Sequence, residues 1–116
     1  MLARQIVIDA INGSDVGFTA YRTVPSKRTD EFAVVELTGG GDANPVQCEP
    51  SADVDCWAQT SYRAEEMAEA VKGILFGLPG SCENVFGVTV TTTYDNPDLE
   101  SGTPRCTVGA VIYANN

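Results

Sequence analysis

The stretch from Asp53 to Gly80 constrains this chain most: Asp53-Val54-Asp55-Cys56-Trp57-Ala58 reads as a short strand that passes through Gln59-Thr60-Ser61 into an amphipathic helix. Ala64, Met67, Ala68, Val71, Ile74, Leu75 and Leu78 recur at the i, i+3, i+4, i+7 spacing of one apolar face. Glu65, Glu66, Glu69 and Lys72 take the opposite face. Thr60 or Ser61 can accept a bond from a free amide of the first turn, and early glutamates suit the positive end of the helix dipole. At the far end Gly77 offers a left-handed closing residue, and Pro79 cannot continue a helix. No second helix of comparable strength is present, so this one is expected to lie on a sheet. Val54, Cys56, Trp57, Met67, Val71, Ile74 and Leu75 are the expected structural core.

Flanking segments extend the pattern. Ala3 to Ala10 predicts a short first helix ended by Asn12-Gly13-Ser14. Phe18 to Thr23 and Phe32 to Thr38 predict two strands of a hairpin, with a long, mostly basic tip from Val24 to Asp30. Gly39 to Pro45 is expected to break regular structure before a third strand over Ala52 to Ala58. Val88 to Tyr94 and Arg105 to Tyr113 complete the strands, joined by a turn-rich acidic connection. The predicted fold class is α+β: a mainly antiparallel sheet of about five strands, with one long amphipathic helix and a short N-terminal helix packed on it. At 116 residues the chain is expected to form one domain over residues 1–116.

Charge narrows the partners. Sixteen Asp plus Glu against seven Lys plus Arg give a formal net charge of −9, which disfavours adhesion to nucleic-acid backbones and anionic membranes. No apolar run reaches the about 20 residues of a membrane span, and no secretory core follows Met1. Assembly in a cytoplasm is therefore expected, with Cys48, Cys56, Cys82 and Cys106 as thiols.

Catalytic chemistry finds little support. The chain has no His, which removes the commonest general base and the commonest transition-metal ligand. Asp53 and Asp55 share a strand face and could do paired carboxylate work, but the solvated side of a half-buried strand explains them better. Gly39-Gly40-Gly41-Asp42 lacks the Lys-Ser/Thr ending of a phosphate loop. The cysteines contain no close CxxC pair. Asp95, Asp98 and Glu100 do not follow the calcium loop of about twelve residues. No enzyme activity, cofactor or metal is expected. Lys27 and Arg28, with Asp30 beside them, form a small charged tip suited to docking.

An ordered set of fragments carries a resemblance: Val35-Glu36-Leu37-Thr38-Gly39-Gly40; Asp53 to Ala58 before a helix starting after Ser61; Leu78-Pro79-Gly80; Tyr94-Asp95-Asn96-Pro97-Asp98; and Pro104-Arg105-Cys106-Thr107-Val108. Together, from about Thr23 to Ile112, they resemble the tail terminator (tail completion) proteins of long-tailed, siphovirus-type bacteriophages. The resemblance implies a virion protein that forms a hexameric ring on the head-proximal end of the tail tube, stops tube growth and receives the head's connector complex. It implies as partners other copies of the chain, the tail tube protein and a head-completion protein, with DNA only passing through the lumen. On that reading Lys27, Arg28, Asp30, Gly40, Asp42 and Asn44 are candidates for partner contact, and Asp95, Asp98 and Glu100 for a DNA-repelling lumen. A head-closure or neck protein is the alternative, and a small carboxylate or thiol enzyme a more distant one.

Overall fold

A computed structural model describes residues 1–116. Helix α1 (Ala3–Asn12) leads into β1 (Thr19–Tyr21), β2 (Phe32–Asp42) and β3 (Gln47–Trp57). Helix α2 (Ser61–Phe76), the four-residue α3 (Leu78–Ser81), β4 (Val85–Asp95) and β5 (Arg105–Asn115) follow. The strands form one sheet in the order β1-β2-β3-β5-β4. The fold is α+β, as the sequence predicts.

The main helix begins where its cap chemistry places it. The Thr60 hydroxyl accepts from the Arg63 amide at 3.1 Å, and the Thr60 backbone is extended. We expect Thr60→Ala to cost about 1 kcal/mol in urea unfolding while Ser61→Ala stays near neutral; equal losses would contradict the cap assignment. A two-pronged ion pair, from the Arg63 guanidinium to both Glu31 oxygens at 2.7 and 3.0 Å, ties this first turn to the β1–β2 connection. The helix ends differently from expectation. Gly77 stays right-handed, with φ −82° and ψ −10°, and its N–H bonds back to Gly73 and Ile74. The chain then starts α3, where Pro79 takes an initial position that needs no amide donor.

Two sequence expectations are corrected by the sheet. β1 and β2 are not a hairpin: they pair in parallel, Thr19 with Phe32 and Tyr21 with Val34. Parallel neighbours need a crossover, and residues 22–31 supply a long one. Nor do the three glycines end the strand. β2 runs on through Gly39, Gly40 and Gly41 to Asp42, paired with Ser51, Pro50, Glu49 and Cys48 of β3, after a bulge between Leu37 and Gly39. Gly39 and Gly40 have φ of +135° and +87°, and Gly40 lies so close to β3 that a Cβ there would sit 2.2 Å from the Glu49 carbonyl oxygen. The turn comes later, at Asn44, whose side-chain oxygen accepts from the Val46 and Gln47 amides, each at 2.9 Å.

Both helices cover the same face. A cluster of 25 buried residues joins Val7 and Ile11 of α1 and Met67, Val71 and Leu75 of α2 to Val35, Val54, Val108 and Ile112 of the sheet. Phe32, Val34 and Trp57 form a separate, smaller cluster, with Tyr21 against it. The helices therefore leave the other side of the sheet without a covering layer.

Candidate functional site

Strand alternation sends every second residue to the helix-free face, and the register lines these up in rows. Phe32, Trp57 and Arg105 form the first row; Val34, Asp55, Thr107 and Tyr94 the second; Glu36, Asp53, Gly109 and Thr92 the third.

The first row is an aromatic–cation stack. The Trp57 ring lies 5.2 Å from Phe32 at an interplanar angle of 18°. The Arg28 guanidinium sits 4.6 Å from the centre of the same indole and Arg105 4.9 Å from it. Such contacts strengthen as water is excluded. The indole N–H of Trp57 is buried and has no hydrogen-bond partner. Arg105 donates through Nε to the Asn96 carbonyl oxygen at 2.7 Å, anchoring the β4–β5 connection beneath the stack.

The second and third rows gather carboxylates. Asp55 is 6% exposed and accepts from the Thr107 hydroxyl at 2.7 Å, and Thr107 in turn accepts from the Asn96 side-chain amide at 3.1 Å. The Glu36 carboxyl is raised above its ordinary value, first by hydrogen bonding to Asp55, then by desolvation and the charges of Asp55 and Asp53. Asp53 is raised by desolvation and the Asp55 charge. A carboxyl raised on folding stabilises the protein fully below its unfolded value, and that contribution is lost as pH rises through the folded value. Glu36→Gln should therefore gain stability relative to the native chain as pH goes from about 4 to about 7. Urea midpoints across that range test it, and parallel profiles would contradict the clustering.

The expected site residues fall in three places. Arg28 joins the aromatic stack, while Lys27 and Asp30 stay exposed beside it on the β1–β2 connection. Gly40 and Asp42 lie on the part of β2 that runs past β1, and Asn44 organises the following turn. Asp95 is the last residue of β4, and Asp98 and Glu100 lie in the connection that follows it. There Asp98 is held below its ordinary value, chiefly by the Ser101 hydroxyl. Val54, Cys56, Met67, Val71 and Leu75 are buried and Ile74 half-buried under the helices, whereas Trp57 is buried on the opposite face. All four cysteines are free thiols, and burial raises those of Cys56 and Cys106.

Sequence reasoning missed this face as a unit. Arg28, Glu36, Trp57 and Arg105 have no common spacing, and only the Asp53/Asp55 pair hinted at it. A readable signal existed in Phe32-Ala33-Val34-Val35, four successive apolar residues that predict a strand packed on both sides.

No protein-family model matches the chain, and no curated protein matches it significantly. Among solved structures, the fold is similar to that of a chain from the virion of a native gene transfer agent (GTA) particle. The TM-score is 0.71 at 13% sequence identity, covering 97% of this chain and 94% of that one.

Proposed function

We propose that this chain is a structural subunit of a phage-type virion, and within that class a tail terminator. The observation that carries the reading is the near-complete overlay, in both directions, with a chain of a virion particle. The ordered fragments from Val35 to Val108 supply the narrower assignment. The subunit forms a ring on the head-proximal end of the tail tube. One ring surface fits the last ring of tube protein; the other lacks the features needed to add another and receives the head-completion complex. Blocking by mismatch needs no turnover.

Helices crowd one side of the sheet, so in a ring the flatter, helix-free face suits the lumen. Glu36 and Asp53, the more exposed carboxylates of that face, would there repel passing phosphates at close range. This assigns the lumen to the sheet face rather than to the loop bearing Asp95, Asp98 and Glu100.

Disrupting the gene in the particle that encodes it should give overlong tubes or tails that do not join heads, and adding the purified chain should arrest growing tubes. Tubes of normal length that join heads would overturn the proposal. Binding to DNA-filled, tailless heads instead of tubes would favour the head-closure alternative.

A further inference from the structure

The sheet has two open edges, and they match. β1 pairs only with Phe32–Val34, which leaves Val35–Asp42 of β2 without an outer neighbour. At the other end of the strand order, β4 has nothing beyond it. Carrying the register across the sheet puts Val35 level with Thr93, Leu37 with Val90, and Asp42 with Val85. The open part of β2 thus spans the same levels as Val85–Thr93. Three antiparallel pairings separate the two strands, so β2 and β4 run in opposite senses.

We propose that β4 of one copy adds antiparallel to the open edge of β2 in a second copy, joining their sheets head to tail. The proposal deepens the ring reading and depends on it only for closure. Copies related by rotation about an axis along the strands keep the same sense, so β4 meets β2 antiparallel with neither being turned over.

Composition of the edges supports a second copy as occupant. Exposed edges are usually blunted by charge, particularly Lys, or by Pro. Val85–Tyr94 contains neither, and no charged residue at all, in a chain of net charge −9. Val35–Gly41 contains only Glu36. Apolar side chains stand exposed on both edges: Leu37 at 50%, and Phe86 at 58% with Tyr94 at 44%.

Charge supports the same pairing. Past Thr93, β4 continues through Tyr94, level with Val34, to Asp95, level with Ala33. Those levels are taken by Tyr21 and Ala20 of β1, so pairing ends at Thr93 and Asp95 leaves the sheet close to Arg22, the residue that follows β1. The connection after β1 holds Arg22, Lys27 and Arg28 against Asp30 and Glu31, the latter paired with Arg63, while Asp98 and Glu100 follow Asp95. Within one copy Arg28 stacks on Trp57 of the inner strand β3 and lines one pocket with Ser101–Pro104, so the charge contact that favours head-to-tail pairing is that of Arg22 at one edge with Asp95 at the other.

The test uses the full chain with Cys82, the one cysteine not fully buried, replaced by Ser. Leu37→Cys and Val90→Cys are placed singly on this background. Neither position is deeply buried, and far-UV dichroism checks that both variants fold. Opposed residues on paired strands bring their Cβ atoms about 4.5–5.5 Å apart, within reach of a disulfide after small adjustment. Oxidation should give a covalent dimer in the mixture of the two variants and not in either alone. Arg22→Glu should lower its yield about two- to fivefold, and Asp95→Arg on the partner should restore it. A dimer from Val90→Cys alone, or no mixed dimer at the highest soluble concentration, would overturn the proposal. With both cysteines in one chain, a closed covalent ring supports both readings. An open ladder without any closed species leaves edge pairing standing and sinks the ring.

Discussion

Gly40→Ala should destabilise the protein by about 3–5 kcal/mol, among the largest losses available to a single added methyl group. Two independent effects combine. The backbone at Gly40 has φ +87°, a region that costs a side-chain-bearing residue about 1–3 kcal/mol. A Cβ there would also lie 2.2 Å from the Glu49 carbonyl oxygen and 2.8 Å from Pro50 Cα and the Ser51 nitrogen, all backbone atoms that cannot swing aside. Gly41 is the internal control, since its φ is not positive and a Cβ there meets nothing within 4 Å. Urea unfolding of the two alanine variants gives the comparison. Midpoints that differ by less than the equivalent of about 0.5 kcal/mol would show that β2 and β3 do not approach as described.

Trp57→Ala should cost about 3–5 kcal/mol even though the residue lies outside the main core. Its side chain is 3% exposed, stacked on Phe32 and covered by two guanidinium groups, so truncation removes the centre of the smaller cluster and leaves Arg28 and Arg105 without their ring. Trp57→Phe should cost far less, about 1 kcal/mol, because it keeps an aromatic face and removes the N–H that is buried without a partner. Because Trp57 is the sole tryptophan, unfolding of these variants is followed by far-UV dichroism rather than fluorescence. A loss below about 1 kcal/mol for Trp57→Ala would mean that the helix-free face is not packed in solution.

What could be read from the sequence follows from how local each signal is. The α2 helix was legible because its period and cap lie within one segment, and Met67, Val71 and Leu75 occupy the buried stripe that their spacing predicts. Strand direction was not. Phe18 to Thr23 carries β propensity but no sign of which way its neighbour runs. Its short pairing is set by burying Phe18 and Ala20 under the helices, a tertiary demand. The Gly39–Gly41 run reads as a break because glycine lacks strand propensity, yet backbone pairing with β3 keeps it in the sheet. Pro50 similarly argues against a strand interior, but it sits opposite Gly40, where the absent side chain leaves room for the close approach. The candidate contact residues Lys27, Arg28 and Asp30 were legible only as an exposed charged tip, and the candidate lumen residues Asp95, Asp98 and Glu100 only as an acidic loop. That the tip and the end of the acidic loop meet beside Trp57 emerges only once the fold is known.

The one-sided helical cover also bears on how such a chain can diverge. Folding rests mainly on the cluster of 25 buried residues beneath α1 and α2, which asks for apolar character and volume at those positions rather than particular residues. The opposite face lies outside that cluster, and the two open edges enter it through Val35 and Val85, with Val88 and Val90 packed against it. In an assembly of the kind proposed, mutations of exposed residues there would be screened by what they touch, largely apart from whether the chain folds. A lineage can thus change its binding surfaces while holding its architecture, and two chains can share a fold at a TM-score of 0.71 with 13% of residues in common.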